Sequence, residues 1–384
     1  MNTDFNVIRQ YNFPTTIRFG AGAVAELAPH LVSKNLSQPL IVTDPNVEEL
    51  DFFKNIVKDI RSKNISVEVF SDIHKNPVKS DVLRGGNMYS ASDRDSIIGI
   101  GGGAAMDVAR AIALRVNHHR DLFDYDDLIG GDVYVTEEVP YFITVPTTSG
   151  TGSEVGRSAI ISEDETHRKR ILFSPKLLAK IVFADPSLTM NLPPFITAAT
   201  GMDAFTHNLE AYLAKDFHPL CEGIALQGIA LINSSIEDAV NKPNLESRAR
   251  MMIGSLMGAV AFQKGLGVVH SLAHPLSSLI DMHHGLANAI NLPYGMRFNI
   301  KGNENKFETI AAMMDLKKKS GKAVVKRLFE LNKKIGLPRK LHKAGVKEEH
   351  LQELADLAIA DFAHPNNPKP VTRKDFLELY NEAL

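Results

Sequence analysis

The first half of the chain alternates short apolar runs with longer segments in which apolar residues recur about every 3.6 positions. The apolar runs predict buried β-strands, and the clearest of them lie at 40–42, 65–70, 96–100 and 141–145. Between the first two, the segment from Val47 to Lys63 has helical periodicity. Buried strands separated by helices are typical of a parallel sheet that is covered on both faces. We therefore expect an α/β domain in this half.

The pattern changes after Asp185-Pro186. From Ile196 onward the sequence is rich in Ala, Leu and Met, with a period near 3.6 and almost no strand-like alternation. A chain of 384 residues is also too long for one compact core. We predict two domains, an α/β N-terminal domain over residues 1–185 and an all-α C-terminal domain over residues 186–384.

Two glycine-rich loops follow predicted strands of the first domain. Gly101-Gly102-Gly103 precedes a helical pattern, so backbone amides free of Cβ crowding could approach a pyrophosphate at the helix N-terminus. The second loop, 146–154, combines glycines with hydroxyl side chains. Because ligands of open α/β sheets bind at the carboxyl ends of the strands, the two loops predict a dinucleotide site. A tight strand-to-helix turn is the alternative explanation of the first loop.

Asp44 stands at the end of the first predicted strand. Its carboxylate could accept hydrogen bonds from the adenosine ribose hydroxyls and would repel a 2′-phosphate, which favours NAD over NADP. The alternative is that Asp44 caps a helix that begins at Pro45. The sequence leaves both interpretations open.

Aspartate and histidine residues recur at helical spacing in the second domain. Asp203 and His207 are four residues apart, and so are His270 and His274, which places each pair on one helix face. The surroundings of the second pair are apolar, and buried imidazoles need partners. His283-His284 follows at a predicted turn. One carboxylate with imidazoles suits Fe(II), Zn(II), Mn(II) or Co(II), and spacing alone does not separate ligands from neighbours.

Composition and charge narrow the classes of function. The net charge is −2, from 43 basic and 45 acidic residues, which gives no electrostatic signal for nucleic acid. The sequence has no apolar run of membrane-spanning length and no signal-peptide pattern, so we expect no membrane partner. The single Cys221 excludes an internal disulfide and a thiolate metal cluster. A reducing cytoplasm is the expected location.

These motifs closely resemble those of the iron-containing (group III) alcohol dehydrogenase family, which has the dehydroquinate synthase-like fold. The likeness covers nearly the whole chain and is highly specific. It rests on segments 17–22, 101–107, 147–154, 185–189, 201–207, 270–275, 284–289 and 367–370. One departure is Ala104, where the family loop usually has serine.

The resemblance implies a role for each motif. The metal ligands would be Asp203, His207, His270 and His284, holding Fe(II) or, as the alternative, Zn(II). His274 would lie against the nicotinamide as the catalytic side chain. With Asp44, the expected cofactor-binding residues are Gly101, Gly102, Gly103, Asp107, Thr147, Thr148, Thr151, Ser153 and Lys169.

The resemblance also implies a reaction: hydride transfer between NAD(H) and a short-chain alcohol or aldehyde. Lys264 and Leu266 lie where the family's substrate pocket is expected, and an ammonium there would suit a hydroxy acid such as 4-hydroxybutyrate. The alternative is that Lys264 is a solvent-facing helix end. The rival functions are a dehydroquinate synthase-like lyase and a non-enzymatic binding protein. A homodimer or higher homo-oligomer is expected.

Overall fold

The computed structural model describes Phe13 and residues 15–384 of the chain. Within them, eight strands form, all before residue 185. They are β1 (Thr16–Phe19), β2 (Pro39–Val42), β3 (Glu68–Phe70), β4 (Ser96–Gly101), β5 (Tyr141–Pro146), β6 (Ser158–Ser162), β7 (Lys169–Phe173) and β8 (Ile181–Ala184).

The α-helices of the described residues fall into two sets. The first set accompanies the strands: α1 (Leu27–Ser33), α2 (Pro45–Glu48), α3 (Asp51–Ser62), α4 (Lys79–Ser90) and α5 (Gly103–Asn117). The second set follows them: α6 (Pro194–Leu213), α7 (Pro219–Asn241), α8 (Leu245–Ala261), α9 (Val268–Ile280), α10 (His284–Asn299), α11 (Glu304–Met313), α12 (Gly321–Lys334), α13 (Leu351–Ile359) and α14 (Arg373–Ala383).

Six strands form one parallel sheet in the order β1-β8-β5-β4-β2-β3. Both faces are buried, because successive side chains of a strand point to opposite sides. In β2, Leu40 and Val42 pack with residues of α4 and α5, whereas Ile41 packs with residues of α1 and α3. The prediction of a parallel sheet covered on both faces, followed by a helical second half, is confirmed.

Several elements differ from their predictions. The helix predicted over Val47 to Lys63 is divided, because Leu50 has an extended backbone (ψ 142°) and α3 begins anew after it. The strand predicted over 65–70 forms only at its end, as β3. The edge strand β1 and its neighbour β8 were not predicted. Neither was the antiparallel ribbon of β6 and β7, which pairs Ser158 with Phe173.

The helical part is organised around α6. This helix has 20 residues, and from Thr197 to Leu213 nearly every side chain is buried. A helix that is apolar on all sides belongs in a core, and here α7, α8 and α10 pack around it. Polar side chains on α6 are therefore buried with it, and they need specific partners.

The chain divides into two compact units. The α/β unit comprises residues 15–148 and Gly152–Asn191, and the helical unit comprises Phe13, Ser149–Thr151 and Leu192–Leu384. The boundary predicted at residue 186 stays a prediction. Among the described residues, no single helix is long and apolar enough to cross a membrane; α8 and α9 pass that test only jointly, with a 106° bend between them.

Candidate active site

The two glycine-rich loops lie side by side in the α/β unit. Strands β4 and β5 are paired so that Gly101 faces Pro146, and the Thr147 backbone N–H donates to the Gly101 carbonyl at 2.9 Å. Gly101 has a φ of +151°, and a Cβ on it would lie 2.8 Å from Ala105 Cβ. A Cβ on Gly102 would lie 3.4 Å from the Thr148 side chain. Glycine is therefore required at position 101, whereas a Cβ on Gly102 would make only ordinary contact.

The N-terminus of α5 points into this arrangement. The helix begins at Gly103, and its N-cap residue, Gly102, supplies no side-chain hydrogen bond to the first turn. The hydroxyl Oγ1 of Thr43 is buried and has no hydrogen-bond partner among the described residues, and it lies 4.0 Å from the Cβ position of Gly101. Backbone N–H groups with an unpaired hydroxyl beside them fit a phosphate group.

The two carboxylate oxygens of Asp44 have different surroundings. Its Oδ1 caps α2 by accepting from the backbone N–H groups of Asn46 and Val47 at 3.0 and 3.1 Å. Its Oδ2 is directed at the glycine loop, 3.5 Å from the Cβ position of Gly101. The capping interpretation is confirmed, and one carboxylate oxygen still faces the loop.

Two of the expected cofactor residues bind each other. Ser153 Oγ donates to Asp107 Oδ1 at 2.6 Å, and the backbone N–H of Ile160 donates to Oδ2 at 3.1 Å. The buried Arg110 guanidinium donates to Asp107 and to Ser153 Oγ. Burial raises the pKa of Asp107, while Arg110 and then Ser153, Ile160 and Lys169 act in the opposite direction. Asp107 therefore ties the second loop to α5.

Thr151 belongs to the part of the second loop that clusters with the helical unit. Next to it, the Gly150 carbonyl accepts from Ser255 Oγ at 3.0 Å. A Cβ on Gly150 would lie 2.7 Å from Thr200 Cβ, so this stretch of loop lies directly against α6. Residues 149–151 therefore pack as part of the helical unit.

The helical unit brings the predicted metal ligands together. Asp203, His270 and His284 each offer one ligand atom, and these atoms all lie within 4.8 Å of one another. Asp203 Oδ1 lies 3.4 Å from His284 Nε2, 3.9 Å from His270 Nε2 and 3.8 Å from His207 Nε2. Three helices, α6, α9 and α10, supply the four side chains.

Glycines on α8 and α10 let these helices pack directly against α6, which carries Asp203 and His207. A Cβ on Gly285 would lie 2.3 Å from the Ala199 carbonyl oxygen, so α10 begins in direct contact with the α6 backbone. A Cβ on Gly258 would lie 3.0 Å from His207 Cβ, which sets α8 against the same helix. The cluster depends on both contacts, because a larger side chain would push the helices apart.

A buried carboxylate orients each of the two α9 histidines. His270 Nδ1 lies 2.6 Å from Glu210 Oε2, and His274 Nδ1 lies 2.7 Å from Asp361 Oδ2. A carboxylate accepts only, so each Nδ1 carries the proton and each Nε2 is left with its lone pair in the neutral ring. The Nε2 atom of His270 lies 3.9 Å from Asp203 Oδ1. Such carboxylate–histidine pairs are typical of metal sites.

Burial and neighbouring charges set the pKa values of this cluster. Burial lowers the pKa of His207 to about 4, so this imidazole is neutral near pH 7. For His270 burial acts in the same direction, but the Glu210 hydrogen bond and charge outweigh it and raise the pKa. Burial tends to raise the pKa of Asp361, yet His274 and Ser271 lower it to about 2.

The donor set fits a single divalent metal. Donor atoms of a tetrahedral site with bonds of about 2.0–2.2 Å lie about 3.3–3.6 Å apart. The separations of 3.4–3.9 Å around Asp203 Oδ1 are close to that value. One carboxylate with neutral imidazoles is the donor chemistry of a borderline divalent ion.

His274 has a different environment from the three histidines around Asp203. Its ring stacks on His284, with centroids 5.3 Å apart and planes at 13°, and on Phe362 at 5.2 Å. Its side chain is 17% exposed, between those of His270 (1%) and His284 (27%). The separation of His274 from the ligand set stays a prediction.

The structure does not place Lys264 as the sequence analysis expected. Its Nζ donates to Glu222 Oε1 at 2.7 Å and to the Tyr212 carbonyl at 3.1 Å, and burial lowers its pKa to about 8. The solvent-facing alternative is wrong, because Lys264 is 3% exposed. Tyr212 follows Asp203 by nine residues on α6, about 13 Å. The predicted substrate role of Lys264 gains no support from these contacts, and Leu266 is partly exposed.

Sequence reasoning missed four polar residues at these sites. Glu210 lies seven residues after Asp203 on the same helix face, and that spacing could have revealed it. Asn288 follows His284 by four residues and offered the same signal. Thr43 directly precedes Asp44. Asp361 comes from a distant segment, and no local pattern connects it with His274.

Comparisons with known proteins agree with this geometry. The family described as iron-containing alcohol dehydrogenase matches residues 14–186, and the C-terminal part of the Fe-containing alcohol dehydrogenase family matches residues 197–384. The chain is 35% identical over 380 residues to 4-hydroxybutyrate dehydrogenase from Cupriavidus necator, covering 96% of this chain and 98% of that protein.

Solved structures give the same result. The crystal structure of 1,3-propanediol oxidoreductase superposes with a TM-score of 0.93 at 31% identity, covering 98% of this chain and all of that one. Sulfoacetaldehyde reductase from Bifidobacterium kashiwanohense in complex with NAD+ gives 0.88 at 25%, covering 98% and 99%. The relatives do not favour the lyase alternative. The chain belongs to the iron-containing alcohol dehydrogenase family and is an alcohol dehydrogenase and aldehyde reductase.

Proposed function

We propose that this enzyme uses NAD(H) and one divalent metal, Fe(II) first and Zn(II) as the alternative. Asp203, His207, His270 and His284 would hold the metal. The observation that carries the proposal is the convergence of their ligand atoms around Asp203 Oδ1 inside a buried helical core. The charge of Asp203 would offset part of the cost of burying a cation there.

The cofactor would bind at the loops of the α/β unit. Gly101, Gly102 and Gly103 would present backbone groups to the phosphates, and Thr147, Thr148, Thr151 and Lys169 would line the site. Support comes from the absence of a side-chain cap on α5 and from the space that the glycines leave. Asp44 Oδ2 is one acceptor for a ribose hydroxyl and favours NAD over NADP. Asp107 and Ser153 would act through the loop they connect.

The chemistry follows from these positions. When bound, a divalent metal supplies Lewis-acid polarisation of the substrate oxygen, and NAD(H) supplies or accepts the hydride. The chain's own contribution is orientation. Glu210 fixes His270 with Nε2 toward Asp203, and Asp361 fixes the proton of His274 on Nδ1. His274 Nε2 is then the ring nitrogen that would exchange a proton during turnover.

The substrate class would be a short-chain alcohol or aldehyde, with 4-hydroxybutyrate as the first hydroxy acid to test. The similarity to a 4-hydroxybutyrate dehydrogenase supports that choice. Reduction of 4-oxobutanoate, the aldehyde that yields 4-hydroxybutyrate, and of butanal with NADH, measured side by side, tests it. A higher kcat/KM for butanal would dispose of the acidic substrate and leave the dehydrogenase assignment intact. We also expect a homo-oligomer, which sedimentation would measure.

Metal removal tests the central proposal. Chelation of the purified enzyme should abolish NADH-dependent aldehyde reduction, and Fe(II) or another first-row ion should restore it. His270→Ala should lose bound metal together with activity. His274→Ala is the matched control from the same helix, and it should retain the metal while kcat falls. Full activity of a metal-free preparation would refute the proposal, and equal metal loss from both variants would show that the ligand set is misassigned.

A further inference from the structure

Asn367 opens the closing motif at 367–370 and lies at the start of α9. It is 3% exposed. Its Oδ1 accepts from the Val268 backbone N–H at 3.2 Å and from Asn299 Nδ2 at 2.9 Å. Its Nδ2 donates to Asn299 Oδ1 and to the Lys369 carbonyl, both at 2.8 Å. Both donors and both acceptor positions of this buried amide are therefore used.

The helix α9 begins without a cap of its own. The first N–H groups of a helix have no partner within it, and the preceding residue often supplies a side-chain acceptor. Here that residue is Gly267, which has no side chain. Two side chains from elsewhere in the helical unit bind the N–H groups of residues 268–270 instead. Asn367 accepts from the first of them, and Glu210 accepts from the next two at 2.6 and 3.3 Å.

These two acceptors determine where α9 starts. Glu210 Oε2 also accepts from His270 Nδ1 at 2.6 Å, so it orients the imidazole as well. Asn367 acts on the backbone alone, and it connects the first residue of α9 to the last residue of α10. The space between the two acceptors is small, because a Cβ on Gly267 would lie 2.8 Å from Asn367 Oδ1 and 2.9 Å from Glu210 Oε1. Since His270 is the third residue of α9, a shift of the helix start would move it relative to Asp203.

We propose that Asn367 is a positioning residue of the metal site. Its Oδ1 holds the first N–H group of α9, and this contact keeps His270 at the distance from Asp203 that a shared cation requires. The inference rests on the proposed metal site, and it assigns a role to a side chain that contacts none of the proposed ligands. The Nδ2 group has a separate role, which is to fasten the closing motif to α10.

Three substitutions separate the two roles. Asn367→Ala removes the acceptor for Val268 together with the pairing to Asn299. Asn299→Ala breaks the same pairing but leaves Asn367 Oδ1 available to Val268. Asn367→Asp keeps an acceptor at the helix N-terminus, where a negative charge is favourable, and loses both N–H donors. All three should lower the thermal midpoint of the metal-free protein, because each leaves buried polar groups without a partner.

Metal affinity should distinguish the three variants. Asn367→Ala should bind the metal about tenfold more weakly than the wild type. Asn299→Ala and Asn367→Asp should bind it as the wild type does, because Val268 keeps an acceptor in both. Competition with a chelating dye measures the affinity, and scanning calorimetry of the metal-free protein measures the midpoint. Wild-type affinity in Asn367→Ala, or losses of affinity that follow the midpoint in all three variants, would overturn the inference.

Gly267→Ala provides a second test that removes no hydrogen-bonding group. Gly267 has an extended backbone (φ −154°) that alanine also adopts, so the substitution adds no backbone strain. The new Cβ would displace the oxygens of Asn367 and Glu210 from the start of α9, and metal affinity should fall about tenfold. Wild-type affinity in Gly267→Ala would overturn the inference even if Asn367→Ala did not fold. A wild-type protein that binds no metal would instead refute the proposed function, so the two failures are distinguishable.

Discussion

The α/β unit and the helical unit build their candidate sites from different parts of the polypeptide. The proposed cofactor site after β4 and β5 relies on backbone groups, and at Gly101 the positive φ and the contact with Ala105 disfavour any side chain. In the helical unit, α6, α9 and α10 present side chains whose donor atoms converge around Asp203. The site in the α/β unit depends on glycines, which have no side chain. The site in the helical unit depends on side chains whose positions are fixed by their neighbours.

The two sites therefore tolerate different changes. A backbone site is damaged by any added Cβ at its close contacts, whatever the chemistry of the new side chain. A side-chain site is damaged by removing a helper that never contacts the ligand, because Glu210 and Asp361 determine which ring nitrogen of each α9 histidine is protonated. The comparison predicts that each unit can lose its ligand while the other retains its own.

The largest effect is expected from Glu210→Gln. The carboxylate accepts from His270 Nδ1 and from the Val269 backbone N–H at 2.6 Å each. An amide has only one acceptor oxygen and cannot serve both contacts. Metal affinity should fall about 10- to 100-fold, while the NADH dissociation constant stays unchanged. Competition with a chelating dye measures the first, and NADH fluorescence measures the second.

Asp361→Asn is the control for that variant. It disturbs the His274 pair through the same carboxylate-to-amide change, at a side chain outside the proposed ligand set. It should lower kcat with little effect on metal affinity. If Glu210→Gln kept wild-type metal affinity, or if Asp361→Asn lost the metal to the same degree, the role assigned to the buried carboxylates would be wrong.

Gly101→Ala is the corresponding change in the α/β unit. The residue has a φ of +151°, and the new Cβ would lie 2.8 Å from Ala105 Cβ, so the loop must shift away from the ligand. NADH affinity should fall about tenfold, because strain of this kind costs about 1–3 kcal/mol. Metal affinity should be unchanged, which equilibrium dialysis would show.

Gly86→Ala is the matched control in the same unit. Gly86 lies within α4, and a Cβ there would meet its nearest neighbour, Arg115 Cγ, at an ordinary 3.5 Å. NADH affinity should stay at the wild-type value in this variant. If Gly101→Ala and Gly86→Ala lowered NADH affinity equally, the loss would reflect general destabilisation of the α/β unit. It would not then be evidence for the shape of the loop at Gly101.

The sequence predicted the elements whose patterns are local. Leu40 to Val42 and Ser96 to Ile100 are strongly apolar and lie in the centre of the sheet, where both faces are covered. The edge strand β1 was missed because it is short and mostly exposed, so its pattern does not differ from that of a loop. The division of the helix at Leu50 was missed because the apolar period continues across the break.

In the proposed metal site, too, only the local features could be predicted from the sequence. The spacing of Asp203 and His207 reports a shared helix face, and this is a local property. Which of His270 and His274 faces Asp203 depends on Glu210 and Asp361, which lie 60 and 87 residues away in sequence. Lys264 illustrates the converse. A charged residue near a predicted pocket suggested a substrate contact, yet its partners, Glu222 and Tyr212, are set by tertiary packing.

The smallest expected effect concerns Glu154. This residue lies in the second glycine-rich loop, and it is its side chain, not its backbone, that we expect to matter. Glu154 is 2% exposed, and its Oε1 has no hydrogen-bond partner among the described residues. Burial raises its pKa to about 7, with its own backbone N–H and the charge of Arg110 acting in the opposite direction. The folded protein therefore binds this proton more tightly than the unfolded chain, whose glutamate pKa is about 4.3.

The sign of the pH dependence follows from that difference. A raised pKa contributes stability that is fully present below about pH 4.3 and is lost as the pH rises toward 7. Glu154→Gln replaces the acid by a neutral group of the same shape, so this part of the pH dependence should disappear. Its thermal midpoint should exceed that of the wild type at pH 8 by about 2–4 °C, with little difference at pH 4.5. Scanning calorimetry at both values, with Glu165→Gln as the exposed control, measures the effect. A thermal midpoint of Glu154→Gln below that of the wild type at pH 8 would show that the ionised carboxylate stabilises the loop. The site in the α/β unit would then depend on a fixed side chain, as the site in the helical unit does.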